Sequence, residues 1–127
     1  MRGLSDGIRR IFKRRLQSRF SVTGRAMVLI APGEDSERKV QVLDISRGGL
    51  AFVYDGPKED LEDSGILQLL AHNVVFLEKV HFETASDVAL QESEERYRRR
   101  GVRFKWMGVL DHGKLDDFIR EVGTFKL

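Results

Sequence analysis

The sequence predicts a mainly β fold, a small antiparallel β-barrel of about six strands with a C-terminal α-helix and a basic N-terminal arm. Short apolar runs separated by turn residues fill the middle of the chain, and this rhythm is typical of antiparallel strands. Near the C-terminus the apolar residues recur at helical spacing instead. The 127 residues suffice for one modest core. Many short strands with one terminal helix favour a small barrel or a sandwich, which closes its own sheet edges and leaves the helix to cover an opening or an apolar face.

The basic arm comprises residues 1–18, and we expect the barrel domain to span residues 19–127. Ser5 is placed to cap a short helix in the arm, whose apolar side chains share one face: Ile8, Ile11, Phe12 and Leu16. Asp6 is the only acidic residue before position 30, where the cations are Arg2, Arg9, Arg10, Lys13, Arg14, Arg15, Arg19 and Arg25. This local positive potential attracts phosphates, nucleic acids or anionic surfaces.

The strands of the barrel are predicted from apolar runs. Two or three strands are expected between residues 66 and 90, with a turn at 72–73, and further strands at 26–31, 38–45, 50–54 and 101–106. An acidic segment, 55–63, and a charged segment, 91–100, are predicted to be loops.

The last predicted strand alternates large and charged residues. Val102, Phe104 and Trp106 share one face, so we expect Trp106 to pack in the core rather than to stack on a ligand. The preceding cations, Arg96, Arg98, Arg99 and Arg100, follow Glu92, Glu94 and Glu95. Local charge compensation is the simplest interpretation, with a second phosphate contact or a partner surface as the alternative.

The C-terminal helix is predicted at about 111–123. Its apolar face consists of Leu115, Phe118, Ile119 and Val122. Asp116 and Asp117 lie near its start, which suits the helix dipole, and Gly123 is expected to end it.

Composition argues against several classes of protein. There is no cysteine, hence no disulfide framework or thiolate site. The longest apolar stretches fall far short of the roughly 20 residues of a membrane span, and no signal peptide is recognised, so we expect a cytoplasmic protein. No nucleophile–base set, nucleotide phosphate loop or metal triad is visible, and the histidines His72, His81 and His112 lack metal-ligand spacing. We therefore expect neither an enzyme nor a cofactor.

Two short motifs carry the functional prediction. The first is Arg14-Arg15-Leu16-Gln17-Ser18-Arg19-Phe20. A guanidinium is a planar fork that matches a phosphate or the O6/N7 edge of guanine. If the segment is helical, Arg15 and Arg19 share a face. A basic arm that merely faces water is the alternative for this motif taken alone.

The second motif is Asp44-Ile45-Ser46-Arg47-Gly48-Gly49. Strand alternation predicts Leu43 and Ile45 on one face and Asp44 and Ser46 on the other, so that one face packs and the other binds. A carboxylate accepts hydrogen bonds from the adjacent N–H groups of guanine, and a serine hydroxyl both donates and accepts. The two glycines permit a tight turn and a close approach by a ligand. An ordinary hairpin turn is the alternative for this motif alone.

Together the motifs resemble the PilZ domain family of bacterial receptors for cyclic di-GMP, whose pattern is RxxxR followed by (D/N)x(S/A)xxG. The resemblance extends over roughly residues 14–107 and implies a small β-barrel with a C-terminal helix. It implies that Arg15 and Arg19 hold guanine and phosphate. Arg14 fits a doubled-arginine variant associated with an intercalated ligand dimer, although Arg10/Arg14 is an alternative register.

In the second motif, the resemblance implies that Asp44 accepts from guanine N–H groups, that Ser46 touches phosphate or base, and that Gly49 permits the turn. It also implies a switch, in which cyclic di-GMP neutralises the arm, draws it onto the barrel and so signals to an effector protein that the sequence does not identify. Two alternatives remain: a protein-interaction domain of the same fold that binds no nucleotide, and, less favoured, a nucleic-acid-binding barrel, which would need exposed aromatic side chains beside the charges. The sequence leaves open whether the chain forms a homodimer.

Overall fold

The computed structural model describes residues 19–90 and 96–127. The predicted arm, with Arg14 and Arg15, lies outside these residues. The described part contains one α-helix, α1 (Val109–Val122), and a single turn of 3₁₀ helix at Lys58–Asp60. Its strands are β1 (Phe20–Val22), β2 (Ala26–Ile30), β3 (Arg38–Ser46), β4 (Gly49–Asp55), β5 (Ser64–Ala71), β6 (Val74–Ala89), β7 (Tyr97–Phe104) and β8 (Gly123–Lys126).

Six strands close into an antiparallel barrel in the order β2-β5-β6-β7-β4-β3, because β3 also pairs with β2. The first half of β3 pairs with β2, as in Val28↔Val40, and its second half pairs with β1, as in Phe20↔Ile45. On the outer side of β1 lies β8, which follows the helix. The predicted six-stranded barrel with a C-terminal helix is therefore confirmed, and β1 and β8 extend its sheet.

The region from residue 66 to residue 90 forms two strands, β5 and the 16-residue β6. The predicted turn between them is confirmed, since His72 and Asn73 have φ values of 53° and 64°. The predicted loop at 91–100 is wrong for its last four residues, which begin β7 and pair with β4 on one side and β6 on the other.

The prediction that Trp106 packs in the core is also wrong, since its side chain is 87% exposed. Strand β7 ends at Phe104, which pairs with Phe82, and the chain then leaves the sheet for the helix. Alternation holds a side chain on the core face only while the strand continues, so the pattern of the strand does not extend to Trp106.

Helix α1 packs its predicted apolar face against the barrel, and all four predicted residues are buried. The ring of Phe118 meets Phe76 of β6 edge-on, with centroids 5.5 Å apart. Inward-facing residues of the barrel strands complete the core, among them Val28, Val42, Phe52 and Leu69. The single core joins barrel and helix and lies on the inner side of β3, β4 and β7.

Candidate functional site

The carboxylate of Asp44 is held between two arginines. Arg19 Nη1 lies 2.5 Å from Asp44 Oδ1, and Arg99 Nη2 lies 3.0 Å from Asp44 Oδ2. The Asp44 side chain is only 12% exposed, whereas those of Arg19 and Arg99 are 48% and 37% exposed. Each carboxylate oxygen has a further lone pair, so this nearly buried anion can accept additional N–H donors from the solvent side.

Strand register explains why these residues meet on the outer face of the barrel. Leu50, Phe52 and Tyr54 of β4 point into the core, so the intervening Ala51 points outward. Ala51 pairs with Asp44 of β3 on one side and with Gly101 of β7 on the other. The Asp44–Arg99 ion pair therefore crosses β4 on this outer face, next to the small residues Ala51 and Gly101.

A β-bulge corrects the predicted alternation in β3. The register shifts between Val42 and Asp44, which leaves the intervening Leu43 unpaired and 38% exposed. Val42 and Ile45 both enter the core, although an unbroken strand would separate them. The sequence predicted that Leu43 and Ile45 share a packed face, and this prediction is wrong. The bulge keeps Asp44 on the outer face, in register with Ala51.

Ser46 and Gly49 form the two ends of the turn between β3 and β4. The Gly48 N–H donates to Ser46 Oγ at 3.2 Å, and the Ser46 hydroxyl donates to the Gly49 carbonyl at 3.4 Å. Ser46 is 2% exposed. These are the local bonds that serine makes in turns, so Ser46 fixes the turn that follows Asp44.

Gly49 is required by packing against β7. A Cβ atom at this position would lie 2.1 Å from the Val102 carbonyl oxygen, far inside van der Waals contact. Among the described glycines, positive φ occurs at Gly33 and Gly56, so Gly49 does not serve the turn through a left-handed conformation. Its close neighbour is the backbone of β7, and this approach brings β7 and Arg99 alongside β4.

A second charged cluster, buried at one end of the barrel, was missed by the sequence analysis. Asp87 of β6 accepts hydrogen bonds from Tyr54, from Arg98 Nε at 2.5 Å and from Arg100 Nε at 2.7 Å. The side chains of Arg100 and Asp87 are 2% and 9% exposed. Arg100 also donates to the carbonyls of Lys58 and Glu62, each at 3.0 Å. The cluster therefore fixes the segment after β4 across the end of the barrel.

The environment shifts three pKa values in this cluster, those of Tyr54, Asp87 and Arg98, and the hydrogen bond to Asp87 raises the pKa of Arg98. Burial, together with the hydrogen bond to Asp87, raises the pKa of Tyr54. For Asp87, burial favours the protonated form, but the hydrogen bonds from Tyr54, Arg100 and Arg98 outweigh it and hold the pKa of Asp87 below its usual range. Asp87 is therefore a stable anion at neutral pH.

Glu92, Glu94 and Glu95, which were predicted to compensate the arginine cluster, lie outside the described residues. Within the described ranges, Arg98, Arg99 and Arg100 have acidic partners. Arg98 and Arg100 pair with Asp87, and Arg99 pairs with Asp44. The cause is strand β7, which sends alternate residues to opposite faces. Arg98 and Arg100 therefore lie on the face that contacts Asp87 at the barrel end, and Arg99 lies on the outer face.

Four of the predicted site residues, Arg19, Asp44, Ser46 and Gly49, lie together at the second half of β3 and the turn after it. Arg14 and Arg15 lie outside the described residues. Arg99 was not predicted to be a site residue. Recognising residues 97–103 as a strand with alternating faces would have placed Arg99 on the outer face. In the described ranges no group of acidic or histidine side chains could hold a metal ion, and no helix there has the length and hydrophobicity needed to span a membrane.

Fold and site geometry together define a small β-barrel domain with a charged cluster on its outer face. The family model for the PilZ domain matches residues 13–121. The chain belongs to the PilZ domain family, as the sequence motifs predicted. Comparison with curated protein sequences returns no match.

Several solved structures share the fold. K. pneumonia MrkH in complex with c-di-GMP superposes with a TM-score of 0.66 at 16% identity, over 84% of this chain and 51% of MrkH. The PilZ domain of Escherichia coli YcgR with c-di-GMP gives 0.59 at 15% identity, over 84% of this chain and 89% of that domain. The Bacillus subtilis inhibitor of motility MotI/DgrA gives 0.55 at 22% identity, over 84% and 50%. This chain thus spans about half the length of MrkH and MotI.

Proposed function

We propose that this chain is a cyclic di-GMP receptor domain and that the nucleotide binds on the outer face of the barrel at Asp44. Membership of the PilZ family and the fold shared with c-di-GMP complexes of MrkH and YcgR support the ligand. The observation that carries the site is the Asp44 carboxylate, which is nearly buried yet lies beside two half-exposed arginines. Such a cluster offers an acceptor for guanine and donors for phosphate in one place.

In this proposal, each site residue contacts a different part of the ligand. Asp44 accepts the N1–H and N2–H donors of one guanine, and Arg19 donates to a phosphate or to the guanine O6/N7 edge. Ser46 Oγ accepts an N–H of a base through its remaining lone pair, or donates to a phosphate when its hydroxyl turns away from the Gly49 carbonyl, and Gly49 keeps the turn and β7 close to the ligand. Arg14 and Arg15 complete the cationic side of the site, and with the doubled arginine the site has the donors for a ligand dimer.

The segment before β1 is the moving part in this proposal. Arg19 immediately precedes β1 and pairs with Asp44, and the segment 1–18 is joined to the barrel through this residue. A dianionic ligand bound there neutralises Arg14 and Arg15 and changes the conformation of this segment. Amide hydrogen exchange across residues 8–20 tests this step. Slower exchange with saturating cyclic di-GMP is expected, and unchanged exchange contradicts it.

The direct test of binding is calorimetric titration of the chain with cyclic di-GMP, and with cyclic di-AMP as the control. Saturable binding of the guanine dinucleotide alone is expected, because Asp44 needs adjacent N–H donors that adenine does not present. Absence of binding by the wild type would favour the interaction domain. Binding of many nucleic acid sequences with a steep loss of affinity in salt would favour the nucleic-acid barrel.

We infer that this chain signals without catalysing a reaction. A receptor of this kind acts by presenting the liganded segment and barrel face to an effector protein, and a cytoplasmic location would give it access to an intracellular second messenger. Copurification of partners with and without cyclic di-GMP tests the first statement. A partner set that is identical in both samples would contradict ligand-dependent signalling.

A further inference from the structure

Strand β6 continues beyond its neighbour β5. The β5–β6 pairing begins at Ser64↔Glu83, and the Thr84 N–H donates to the Asp63 carbonyl just beyond it. From there β6 runs on to Ala89 and pairs only with β7. In the described part of the chain, the β5-side edge of residues 85–89 therefore has no strand beside it.

The pairing with β7 shows which backbone groups this edge presents. The Leu90 N–H donates to the Tyr97 carbonyl, so Leu90 is in a hydrogen-bonded pair with β7. Because such pairs alternate along an antiparallel ladder, the N–H and C=O groups of Val88 point to β7. Those of Asp87 and Ala89 point to the edge without a neighbour. No described residue bonds to these groups, so within the described ranges two donors and two acceptors face outward at the spacing that an added strand uses.

A groove lies beside this edge. It has a volume of about 850 Å³, and its walls include the 58–64 segment and residues 83–87. Three exposed carboxylates, those of Glu59, Glu62 and Asp63, line it and have no ion-pair partner among the described residues. Lys58 and Lys105 also reach it. The charge of Asp87 is already matched by Arg98 and Arg100, so Asp87 does not repel an incoming backbone.

We propose that the edge of β6 at residues 85–89 binds an extended segment of a partner protein by β-strand addition, with basic side chains of that segment facing the acidic 59–63 wall. Added strands gain main-chain hydrogen bonds at an open edge, and alternate side chains supply specificity. The carboxylates of the wall disfavour an anionic ligand such as a nucleotide. The surface is therefore distinct in chemistry from the Asp44 site.

The first test uses a short synthetic peptide in which lysine alternates with threonine, and the same peptide with glutamate in place of lysine. The lysine peptide is expected to bind the full chain and to slow amide exchange at Asp87 and Ala89. Ala89→Pro removes an N–H that makes no bond to β7, and proline is tolerated on an edge. We expect this variant to lose at least about tenfold in peptide affinity while its exchange pattern in β7 is unchanged.

The second test reverses the charge of two residues in the acidic 59–63 wall. Glu59→Lys with Glu62→Lys should weaken the lysine peptide at least about tenfold, whereas the matched pair Glu34→Lys with Asp35→Lys, on the exposed β2–β3 turn, should not. Equal binding of both peptides, or full affinity in Ala89→Pro and in the wall variant, overturns the proposal. Absence of peptide binding also overturns the proposal. Self-association of the wild type that Ala89→Pro abolishes overturns it too, because the edge would then bind a second copy of this chain.

Discussion

Asp44 on β3 and Arg99 on β7 meet across the intervening strand β4, with Arg99 Nη2 lying 3.0 Å from Asp44 Oδ2. The other oxygen of the same carboxylate is held by Arg19. Three segments that are distant in the sequence thus orient one anion. Arg19 lies immediately before β1, whereas Arg99 belongs to the barrel wall, so Arg99 holds the carboxylate in place even when Arg19 turns toward a ligand.

We predict that Arg99→Ala weakens cyclic di-GMP binding about tenfold, because loss of a charge-assisted hydrogen bond of about 1.5 kcal/mol leaves Asp44 less well oriented. Arg120→Ala is the control, since Arg120 lies on the outside of α1 and pairs with Asp117. Calorimetric titration measures both. Equal affinity of the Arg99 variant and the wild type would show that Arg99 does not position Asp44.

Gly49→Ala should destabilise the fold by about 3 kcal/mol or more, because the new methyl group collides with the Val102 carbonyl in a packed β4–β7 pair. Gly113→Ala is the matched control. No atom lies within 4 Å of a Cβ built there, and alanine favours a helix over glycine by about 1 kcal/mol. Urea denaturation should therefore shift the two variants in opposite directions. A Gly49 variant as stable as the wild type would contradict the close packing.

Arg100→Met should cost about 3 kcal/mol of unfolding free energy, the lower end of the range for breaking a buried ion pair, because Asp87 loses one of its three donors and the Lys58 and Glu62 carbonyls lose theirs. The control on the same strand is Arg103→Met. Arg103 also pairs with a carboxylate, that of Glu83, but its side chain is 62% exposed, so a change of at most about 1 kcal/mol is expected. Similar losses in both variants would contradict the role of burial.

The lowered pKa of Asp87 predicts a pH dependence of stability. A carboxyl whose folded pKa is depressed stabilises the fold above its unfolded pKa, about 3.9 for aspartate, and loses that contribution as the pH falls through the folded value. The wild type should therefore exceed Asp87→Asn in unfolding free energy at neutral pH, and the difference should shrink as the pH drops below about 4. A difference that stays constant down to acid pH would refute the assignment.

The motifs and the periodicity of the sequence predicted the barrel, the helix and the grouping of Asp44, Ser46 and Gly49. Local patterns failed where tertiary contacts decide. The bulge at Leu43 depends on pairing with β4, and the exposure of Trp106 depends on where β7 ends. The separation of Arg99 from Arg98 and Arg100 required the charged run to be recognised as a strand, although its composition is typical of a loop.

The central claim is that cyclic di-GMP binds through the Asp44 carboxylate, and calorimetric titration of Asp44→Asn tests it most directly. The amide keeps the size of the side chain but replaces one acceptor with a donor. The matched control is Asp63→Asn, an exposed carboxylate in the groove beside β6. We predict that Asp44→Asn loses binding at least about a hundredfold, about 2.8 kcal/mol, while Asp63→Asn binds as the wild type does. Wild-type affinity in Asp44→Asn would contradict the proposed site.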